Sequence, residues 1–267
     1  MMGLEMATVT PTAGTAAVAV DDVPGVVLSS FVVDANTQNS ATLVQVGPTG
    51  AHLGDSSNPT TLSDIFVRMG GAYAGLATTG FEINQNTVIV DHTWLWRADH
   101  GNAGTSGWNV NRADTGMVVN GDNVTVLGLF VEHYQKSQVV WNGSGGSTVF
   151  MECEAPYDVP SQAAWMNGSR NGYPCYSVSQ NVTTHTGTGL TSWTFFQAAA
   201  PNVIYNANAV SAPSSPNVRL SNTSAGVIYG QGGFGNIVST EGGPVVAGGP
   251  APFVAGIAAF GQLATYP

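Results

Sequence analysis

Two look-alike stretches share one pattern: NVTVLGLFVEHYQ (123–135) and STVFMECEAPYD (147–158). Their apolar residues alternate, and their glutamates Glu132 and Glu154 stand 22 residues apart at matching positions. Alternation indicates a strand with one buried face, and recurrence at this spacing is typical of strands coiled into a stack. In such a stack each residue lies above its equivalent in the previous turn. The two carboxylates are therefore expected on neighbouring strands, about 4.8 Å apart at the backbone.

The composition favours an all-β chain with neutral partners. The 267 residues include 34 glycines and 14 prolines, which indicates short strands and frequent turns. Only 8% of the residues are charged, the net charge is −10, and the sequence has no basic run. A nucleic acid or an anionic membrane is therefore not expected as a partner, whereas a polysaccharide or oligosaccharide fits. No apolar run in the sequence reaches the length of a membrane span.

Short strand-like segments recur along the chain, and none has the three-to-four apolar spacing of an amphipathic helix. Examples are 25–33, 63–70, 86–97, 176–185 and 202–210. The pattern predicts a single-stranded right-handed parallel β-helix, a pectin-lyase-like solenoid, as one domain over 1–267 with an irregular segment at 1–14. A propeller or a sandwich is the all-β alternative. Neither explains equivalent residues at one-coil spacing as easily.

An alignment of four coils predicts which side chains face outward. The inward row is Leu95, Val131, Cys153 and Thr184. One outward column is Trp94, Phe130, Glu152 and Thr183. The second outward column is Trp96, Glu132, Glu154 and His185. Rings stack on apolar sugar faces and acids reach hydroxyls and glycosidic oxygens, so this mixture indicates a sugar site. Two adjacent carboxyl groups are also costly to ionise together, which raises the pKa of one of them.

Two long segments interrupt the repeat, at 98–118 and 155–175. Both begin beside the outward columns, so we expect them to wall a cleft over Glu132 and Glu154. The predicted sugar-binding side chains are Trp94, Trp96, Tyr157, Gln162, Trp165 and His185. The two strand tryptophans could equally anchor the first loop. For Glu152 and His133 a structural role is favoured.

The sequence predicts no metal and no other cofactor. Cys153 and Cys175 are the only cysteines, and alternation turns Cys153 inward, which favours a buried free thiol over a disulfide or a nucleophile. The pairs Asp-His at 91–92 and 99–100 are separated by a strand and a turn, and nothing makes them converge on one ion. No phosphate loop or dinucleotide fingerprint is present.

The motifs Glu-His at 132–133 and Glu-Ala-Pro-Tyr at 154–157, one coil apart, resemble the second β-helix of glycoside hydrolase family 55. The likeness is strongest over about residues 60–200, and the chain is also similar to secreted actinobacterial β-helix proteins of uncertain activity. The resemblance implies an inverting β-1,3-glucanase that degrades laminarin-type glucan. It implies that Glu154 is the general acid and that Glu132 lies beside it. Members of that family have two β-helices in tandem, whereas this chain has room for one.

Other functions stay open. A single β-helix could hold the acid yet lack the half that positions water, which would make it a non-catalytic glycan-binding or structural solenoid. A polysaccharide lyase would need Ca²⁺ or basic side chains, and only Arg97, Arg112 and Lys136 lie near the proposed face. An uncapped solenoid end would favour self-association or pairing with a second β-helix. The scarcity of charge is typical of a secreted protein, although no signal peptide is visible.

Overall fold

The computed structural model describes residues 1–4, 7–196, 203–229, 232–247 and 257–267. Within them the chain winds into a parallel β-helix, so the predicted all-β fold is confirmed. Among the described residues, no helix has the length and apolar character needed to cross a membrane.

Strands follow one another along nearly the whole described chain. In order they are β1 (Thr8–Val9), β2 (Val18–Val20), β3 (Val27–Asp34), β4 (Ser40–Val46), β5 (Thr60–Met69), β6 (Ala77–Ile83), β7 (Val88–Arg97), β8 (Thr115–Val119), β9 (Thr125–Glu132), β10 (Val139–Trp141), β11 (Gly146–Glu154), β12 (Met166–Asn167), β13 (Arg170–Asn171), β14 (Tyr176–Val178), β15 (His185–Phe195), β16 (Ile204–Asn206), β17 (Val210–Ser211), β18 (Val218–Tyr229), β19 (Gly232–Phe234), β20 (Val245–Ala247) and β21 (Ala259–Tyr266). A 3₁₀ turn spans Gln162–Ala164. The segment expected to be irregular, 1–14, contains β1, which pairs with β3.

Two large sheets enclose the core. The nine-stranded sheet has the order β1-β3-β5-β7-β9-β11-β15-β18-β21, and the seven-stranded sheet has the order β17-β14-β10-β8-β6-β4-β2. Neighbours in both sheets are parallel, apart from the antiparallel pair β18 and β21. Valine, leucine, isoleucine and phenylalanine side chains from both sheets fill the space between them. Because alternate residues point inward, the remaining side chains of the nine-stranded sheet form its outer face.

The predicted inward row holds for three coils and fails at the fourth. Leu95 pairs with Val131, and Val131 pairs with Cys153. Cys153 then pairs with Ser192 rather than with Thr184. The excursion at 155–175 makes this coil longer than the preceding one. The alignment therefore chose Thr184, which precedes the true partner Ser192 in the sequence. Thr191 and Trp193, rather than Thr183 and His185, therefore continue the two outward columns.

Each long strand of the nine-stranded sheet bends at one stacked position. The residues at the bend have left-handed backbone conformations, with φ between +48° and +68°: Ser30, Asp64, His92, Gly128, Phe150, Gly189 and Asn222. Glycine, asparagine and aspartate adopt this conformation most easily. The bend separates the first half of each strand from the second half, which carries the candidate site.

Cys153 and Cys175 form a disulfide, so the expected free thiol is wrong. Cys153 is the next-to-last residue of β11, and Cys175 immediately precedes β14 in the opposite sheet. The excursion at 155–175 therefore leaves and re-enters the coil at facing positions. The bond closes this loop at its base.

Candidate active site

The two outward columns predicted from sequence exist over three coils. One column runs through Phe66, Trp94, Phe130, Glu152 and Thr191, and the other through Arg68, Trp96, Glu132, Glu154 and Trp193. Glu132 and Glu154 are direct cross-strand partners on the parallel strands β9 and β11. Their side chains leave the same face of the sheet at consecutive levels.

The carboxyl groups of Glu132 and Glu154 lie side by side. One oxygen of each lies within 4.8 Å of the other and of a His133 ring nitrogen. Burial raises the pKa of Glu132 to about 7, and the adjacent charge of Glu154 adds to the rise. The indole N–H of Trp94 lies beside this carboxyl and opposes the rise, although it makes no hydrogen bond of ordinary geometry.

Glu154 is held by neighbours from two loops. Burial raises its pKa, a hydrogen bond from the Tyr157 hydroxyl opposes that rise, and the charge of Asp99 adds to it. Its Oε2 lies 3.2 Å from Nε2 of His133. The His133 and Tyr157 rings contact each other edge to face, with centroids 4.3 Å apart. Glu154 is thus a carboxyl group with a fixed orientation and a raised pKa, as a general acid requires.

His133 is buried beside Glu154, and both of its ring nitrogens face oxygen atoms of the protein. Its Nδ1 faces the carbonyl oxygen of Ala155 at 3.4 Å, and its Nε2 faces Asp99 Oδ1 at 3.5 Å as well as Glu154. Burial lowers the pKa of His133 to about 4, with the charge of Asp99 acting in the opposite direction. Asp99 also contacts Nδ1 of His100 at 2.8 Å. A neutral His133 therefore connects the acid to a partly exposed aspartate.

A third carboxyl group belongs to the same cluster. Glu152 stands two residues before Glu154 and is the cross-strand partner of Phe130. Burial raises the pKa of Glu152 to about 9, and the charges of Glu154 and Glu132 add to the rise. Sequence reasoning favoured a structural role for it. Its place in the adjacent outward column was the signal that could have brought it into the site.

An ion pair between a buried arginine and a partly buried aspartate anchors the loop that carries Tyr157. The Arg97 guanidinium, fully buried at the end of β7, donates to both carboxylate oxygens of Asp158 at 2.9 and 2.7 Å. It also donates to the carbonyl oxygens of Asn111 and His133. One side chain therefore ties both long loops to the strand end beside the acid.

The two strand tryptophans stack on each other. The rings of Trp94 and Trp96 are 5.2 Å apart with an interplanar angle of 23°, and the His100 ring contacts Trp96 edge to face. Trp96 is almost buried, which supports its role as an anchor of the first loop. Trp94 is half-buried and lies beside Glu132.

Three predicted sugar-binding residues lie elsewhere. His185 faces the interior, where Nε2 lies 3.0 Å from the Tyr176 hydroxyl and burial lowers its pKa to about 4. Trp165 is buried in a second apolar cluster and donates to the carbonyl of Gln135. Gln162 bonds the backbone of Trp165 and of Tyr205. These side chains stabilise the core and the second loop, and the structure does not bring them to the acid pair.

The nitrogen and oxygen atoms of Glu132, His133 and Glu154 are close enough to raise the question of a metal. Nε2 of His133 already faces oxygens of Glu154 and Asp99, and its Nδ1 faces a backbone carbonyl. Contacts within the protein account for the cluster, and we assign no metal to it. The Asp-His pairs at 91–92 and 99–100 each form a local contact of 2.8 Å.

Three comparisons place the chain among known proteins. Residues 1–154 match the model of the LAM55 pectate lyase-like domain. An exo-beta-1,3-glucanase from Streptomyces sp. (strain SirexAA-E / ActE) is 44% identical over 91% of this chain and 40% of its own length. A solved structure of sacteLam55A from Streptomyces sp. SirexAA-E is 41% identical, with a TM-score of 0.91, over the whole of this chain and 46% of that one.

A variant of sacteLam55A in complex with glucose gives the same TM-score at 40% identity. The chain spans less than half the length of the relatives it matches. Its family is nevertheless shown, because the matched domain covers more than half of the chain. The chain belongs to the LAM55 pectate lyase-like family, and the resemblance to glycoside hydrolase family 55 is confirmed.

Proposed function

We propose that this chain carries the acid-bearing face of a glycoside hydrolase that cleaves β-1,3-glucan of the laminarin type. The single observation that carries the proposal is the cross-strand pair Glu132 and Glu154, held within 4.8 Å beside aromatic rings. The similarity to an exo-beta-1,3-glucanase supports the choice of substrate.

Glu154 is the proposed general acid. Burial raises its pKa, so its carboxyl group keeps a proton at higher pH than an exposed glutamate does. The Tyr157 hydroxyl and His133 fix the orientation of the carboxyl group. Protonation of the glycosidic oxygen makes the leaving sugar neutral, which lowers the barrier to cleavage of the bond.

Glu132 assists this acid rather than acting from the opposite side of the sugar. Two carboxyl groups that flank a sugar and a water in an inverting enzyme stand about 6.5–9.5 Å apart. The two groups here approach within 4.8 Å. Glu132 therefore acts beside the acid, where it helps to place water or to adjust the protonation of Glu154. In an inverting reaction the opposite face of the sugar would need a group outside this pair.

The second candidate function is glucan binding without turnover. This second function is suggested because the chain matches only 40–46% of the length of its longer relatives. For the same reason we propose that the chain pairs with a second β-helix. A polysaccharide lyase is less well supported, because Arg97 is buried against Asp158 and cannot meet a substrate carboxylate. We also propose that the protein is secreted, which agrees with its disulfide.

The test is digestion of laminarin by the full chain, with the anomer of the product followed by proton NMR. The proposal expects release of α-configured sugar and loss of at least about a thousandfold in rate for Glu154→Gln, because the acid contribution disappears. Glu241→Gln, which removes an exposed carboxylate from a turn, is the matched control. Equal rates for the Glu154→Gln and control variants would reject Glu154 as the acid. Saturable binding without released sugar would favour the second function.

A further inference from the structure

A polar groove lies where the coils turn into the seven-stranded sheet. It encloses about 380 Å³. Four successive coils line it with residues that precede or begin β4, β6, β8 and β10, among them Asn39, Leu76, Thr78, Arg112, Asp114 and Gln135. These residues are separate from those of the acid cluster. Since neighbouring strands are about 4.8 Å apart, four levels span roughly 14 Å along the solenoid axis, which suits an oligosaccharide better than a small ion.

The floor of this groove is held by main-chain hydrogen bonds between coils. The Asp114 N–H donates to the Thr78 carbonyl at 3.0 Å, and the Gln135 N–H donates to the Ala113 carbonyl at 2.9 Å. Ala113 is buried and Leu76 is half-buried, so the floor is apolar between its polar edges. The groove is therefore pre-formed, and a ligand binds there without the cost of ordering a loop.

Arg112 brings a free positive charge to the groove. Its side chain is exposed, and within the described ranges of the chain its guanidinium makes no hydrogen bond or ion pair. Arg68 and Arg97 are instead paired with Asp34 and Asp158. The planar fork of N–H donors on Arg112 is thus open to a ligand.

Three side chains bring acceptor oxygens to the same groove. Asp114 Oδ2 accepts from Nζ of Lys136 at 2.7 Å. Asn39 Nδ2 donates to Oγ1 of Thr78 at 3.1 Å, and Gln135 Nε2 donates to a backbone carbonyl of the first loop at 2.7 Å. Each contact uses one side-chain atom. The second carboxylate oxygen of Asp114 and the amide oxygens of Asn39 and Gln135 are left to meet a ligand.

Donors and acceptors side by side select a neutral ligand rich in hydroxyl groups. An anion would meet the Asp114 carboxylate and two amide oxygens, whereas a cation would meet Arg112 and Lys136. A sugar hydroxyl both donates and accepts, so vicinal hydroxyls can bond a guanidinium and a carboxylate together. We propose that this groove is an auxiliary binding site for a neutral glucan chain. The choice of glucan rests on the proposed function.

The groove lies close enough to the acid pair for one polymer to occupy both. Glu132 ends β9, and Gln135 follows it by three residues, a reach of at most about 10 Å. A glucan chain bound in the groove raises the local concentration of further glucosyl units at the acid site. A short oligosaccharide occupies one site at a time and gains nothing. The auxiliary site therefore favours polymeric substrate.

The test is a titration with laminaritriose, followed by the side-chain Nε–H signal of Arg112 in proton–nitrogen NMR spectra. The full chain carries Glu154→Gln so that no sugar is consumed. The Arg112 signal, assigned by its loss in Arg112→Lys, is expected to move with a dissociation constant on the order of millimolar, because each hydrogen bond to the sugar replaces one to water. The signal of Arg219, whose Nε donates to the Pro216 carbonyl outside the groove, should stay in place. An Arg112 signal that does not move at tens of millimolar would overturn the site.

A charged trisaccharide tests the class of ligand. Trigalacturonate has the same number of sugar rings but bears a carboxylate on each. Its effect on the Arg112 signal is expected to be smaller than that of laminaritriose, because the acceptor oxygens of the groove oppose an anion. A larger effect would overturn the choice of a neutral sugar.

A variant tests the role of the groove toward polymer. In the Glu154→Gln background, Arg112→Ala is expected to weaken laminarin binding about threefold in calorimetry, because the polymer loses one attachment point. Arg112 is exposed, so its removal leaves the fold intact. Arg219→Ala is the matched control, since it removes the same charge from another exposed position. Equal affinity for laminarin in the two variants would overturn the auxiliary role.

The outcomes distinguish this site from the proposed function. Hydrolysis of laminarin by the parent chain together with an unmoved Arg112 signal would remove the auxiliary site and keep the enzyme. A moved Arg112 signal together with no hydrolysis by the parent chain would keep the auxiliary site and remove the enzyme.

Discussion

His133 Nε2 lies 3.2 Å from Glu154 Oε2, and the same nitrogen lies 3.5 Å from Asp99 Oδ1. A single buried imidazole thus joins the proposed acid to a second carboxylate at the start of the first loop. The three groups respond to one another electrostatically, since burial weakens screening by water. Asp99 therefore influences the proton on Glu154 without any need to touch the substrate.

Substitution of Asp99 by asparagine is expected to lower the pKa of Glu154. The Asp99 charge opposes ionisation of Glu154, so its removal lets Glu154 lose its proton at lower pH. The expected result is a downward shift of the Glu154 midpoint, because the raising effect of the Asp99 charge is lost. The ¹³C carboxyl resonance of Glu154, followed through a pH titration, reports this value directly. If the chain hydrolyses glucan, the alkaline limb of its pH profile moves down equally.

The control for this titration is Asp91→Asn, which removes the carboxylate beside His92 and leaves the Asp99–His133 contact intact. It should leave the Glu154 midpoint in place. A Glu154 midpoint that does not move in Asp99→Asn would show that the two carboxyl groups are not coupled.

The sequence predicted the register of the coils through Leu95, Val131 and Cys153, although the intervals between these residues differ in length. Leu95, Val131 and Cys153 are small or aliphatic and lie between outward aromatic or acidic side chains, so their register follows from burial. The register was not predictable at the next coil, where the inward row continues as Ser192. A polar residue in an inward position carries no hydrophobic signal. His185 was predicted to face outward because Thr184 was assigned to the inward row, but its ring packs against Trp141 in the interior.

Loop contacts were harder to predict than strand contacts. The interaction of Arg97 with Asp158 crosses 61 residues of sequence, and no periodicity connects a strand end to a loop interior. The Cys153–Cys175 bond depends equally on where the second loop re-enters the coil. The residues that hold Glu154 in place are therefore visible only in the folded chain, although Glu154 itself stands out in the sequence.

Glu152→Gln is expected to stabilise the protein at alkaline pH. The pKa of Glu152 is raised to about 9 in the folded chain from an ordinary value of 4.5. Between these values the folded state binds the proton more tightly than the unfolded state, so stability falls as pH rises. An uncharged glutamine removes this loss. After allowance for partial exposure, the gain at pH 9 is about 2 kcal/mol.

Chemical denaturation at pH 5 and pH 9 measures this effect for Glu152→Gln. The difference in unfolding free energy between variant and parent should grow toward pH 9. Glu241→Gln, which is exposed in a turn away from the cluster, should give similar differences at both values. A constant difference for Glu152→Gln would mean that its carboxyl group titrates normally.

Reduction of the Cys153–Cys175 bond is expected to lower the free energy of unfolding by about 3 kcal/mol, from the closure of a 22-residue loop. The double variant Cys153→Ser, Cys175→Ser should match the reduced parent within about 1 kcal/mol, apart from the cost of an inward serine. Urea denaturation with and without reductant provides the measurement. Insensitivity of the parent to reductant, with thiols shown to be free by a labelling reagent, would contradict a stabilising bond.

The Arg97–Asp158 pair is expected to show strong coupling in a double-mutant cycle. Arg97 is fully buried and donates to Asp158 with two parallel hydrogen bonds, so loss of Asp158 alone leaves a buried charge with only carbonyl partners. Each single variant, Arg97→Met or Asp158→Asn, should cost about 3–5 kcal/mol. The double variant should cost clearly less than the sum, with a coupling energy of at least about 1 kcal/mol.

Arg97→Lys supplies the sharper comparison in the same denaturation series. Lysine keeps the charge but cannot donate two parallel bonds to a carboxylate while also reaching the Asn111 and His133 carbonyls. It should therefore behave like Arg97→Met rather than like the parent. A fully stable lysine variant would show that charge alone, without the planar guanidinium geometry, holds both loops beside Glu154.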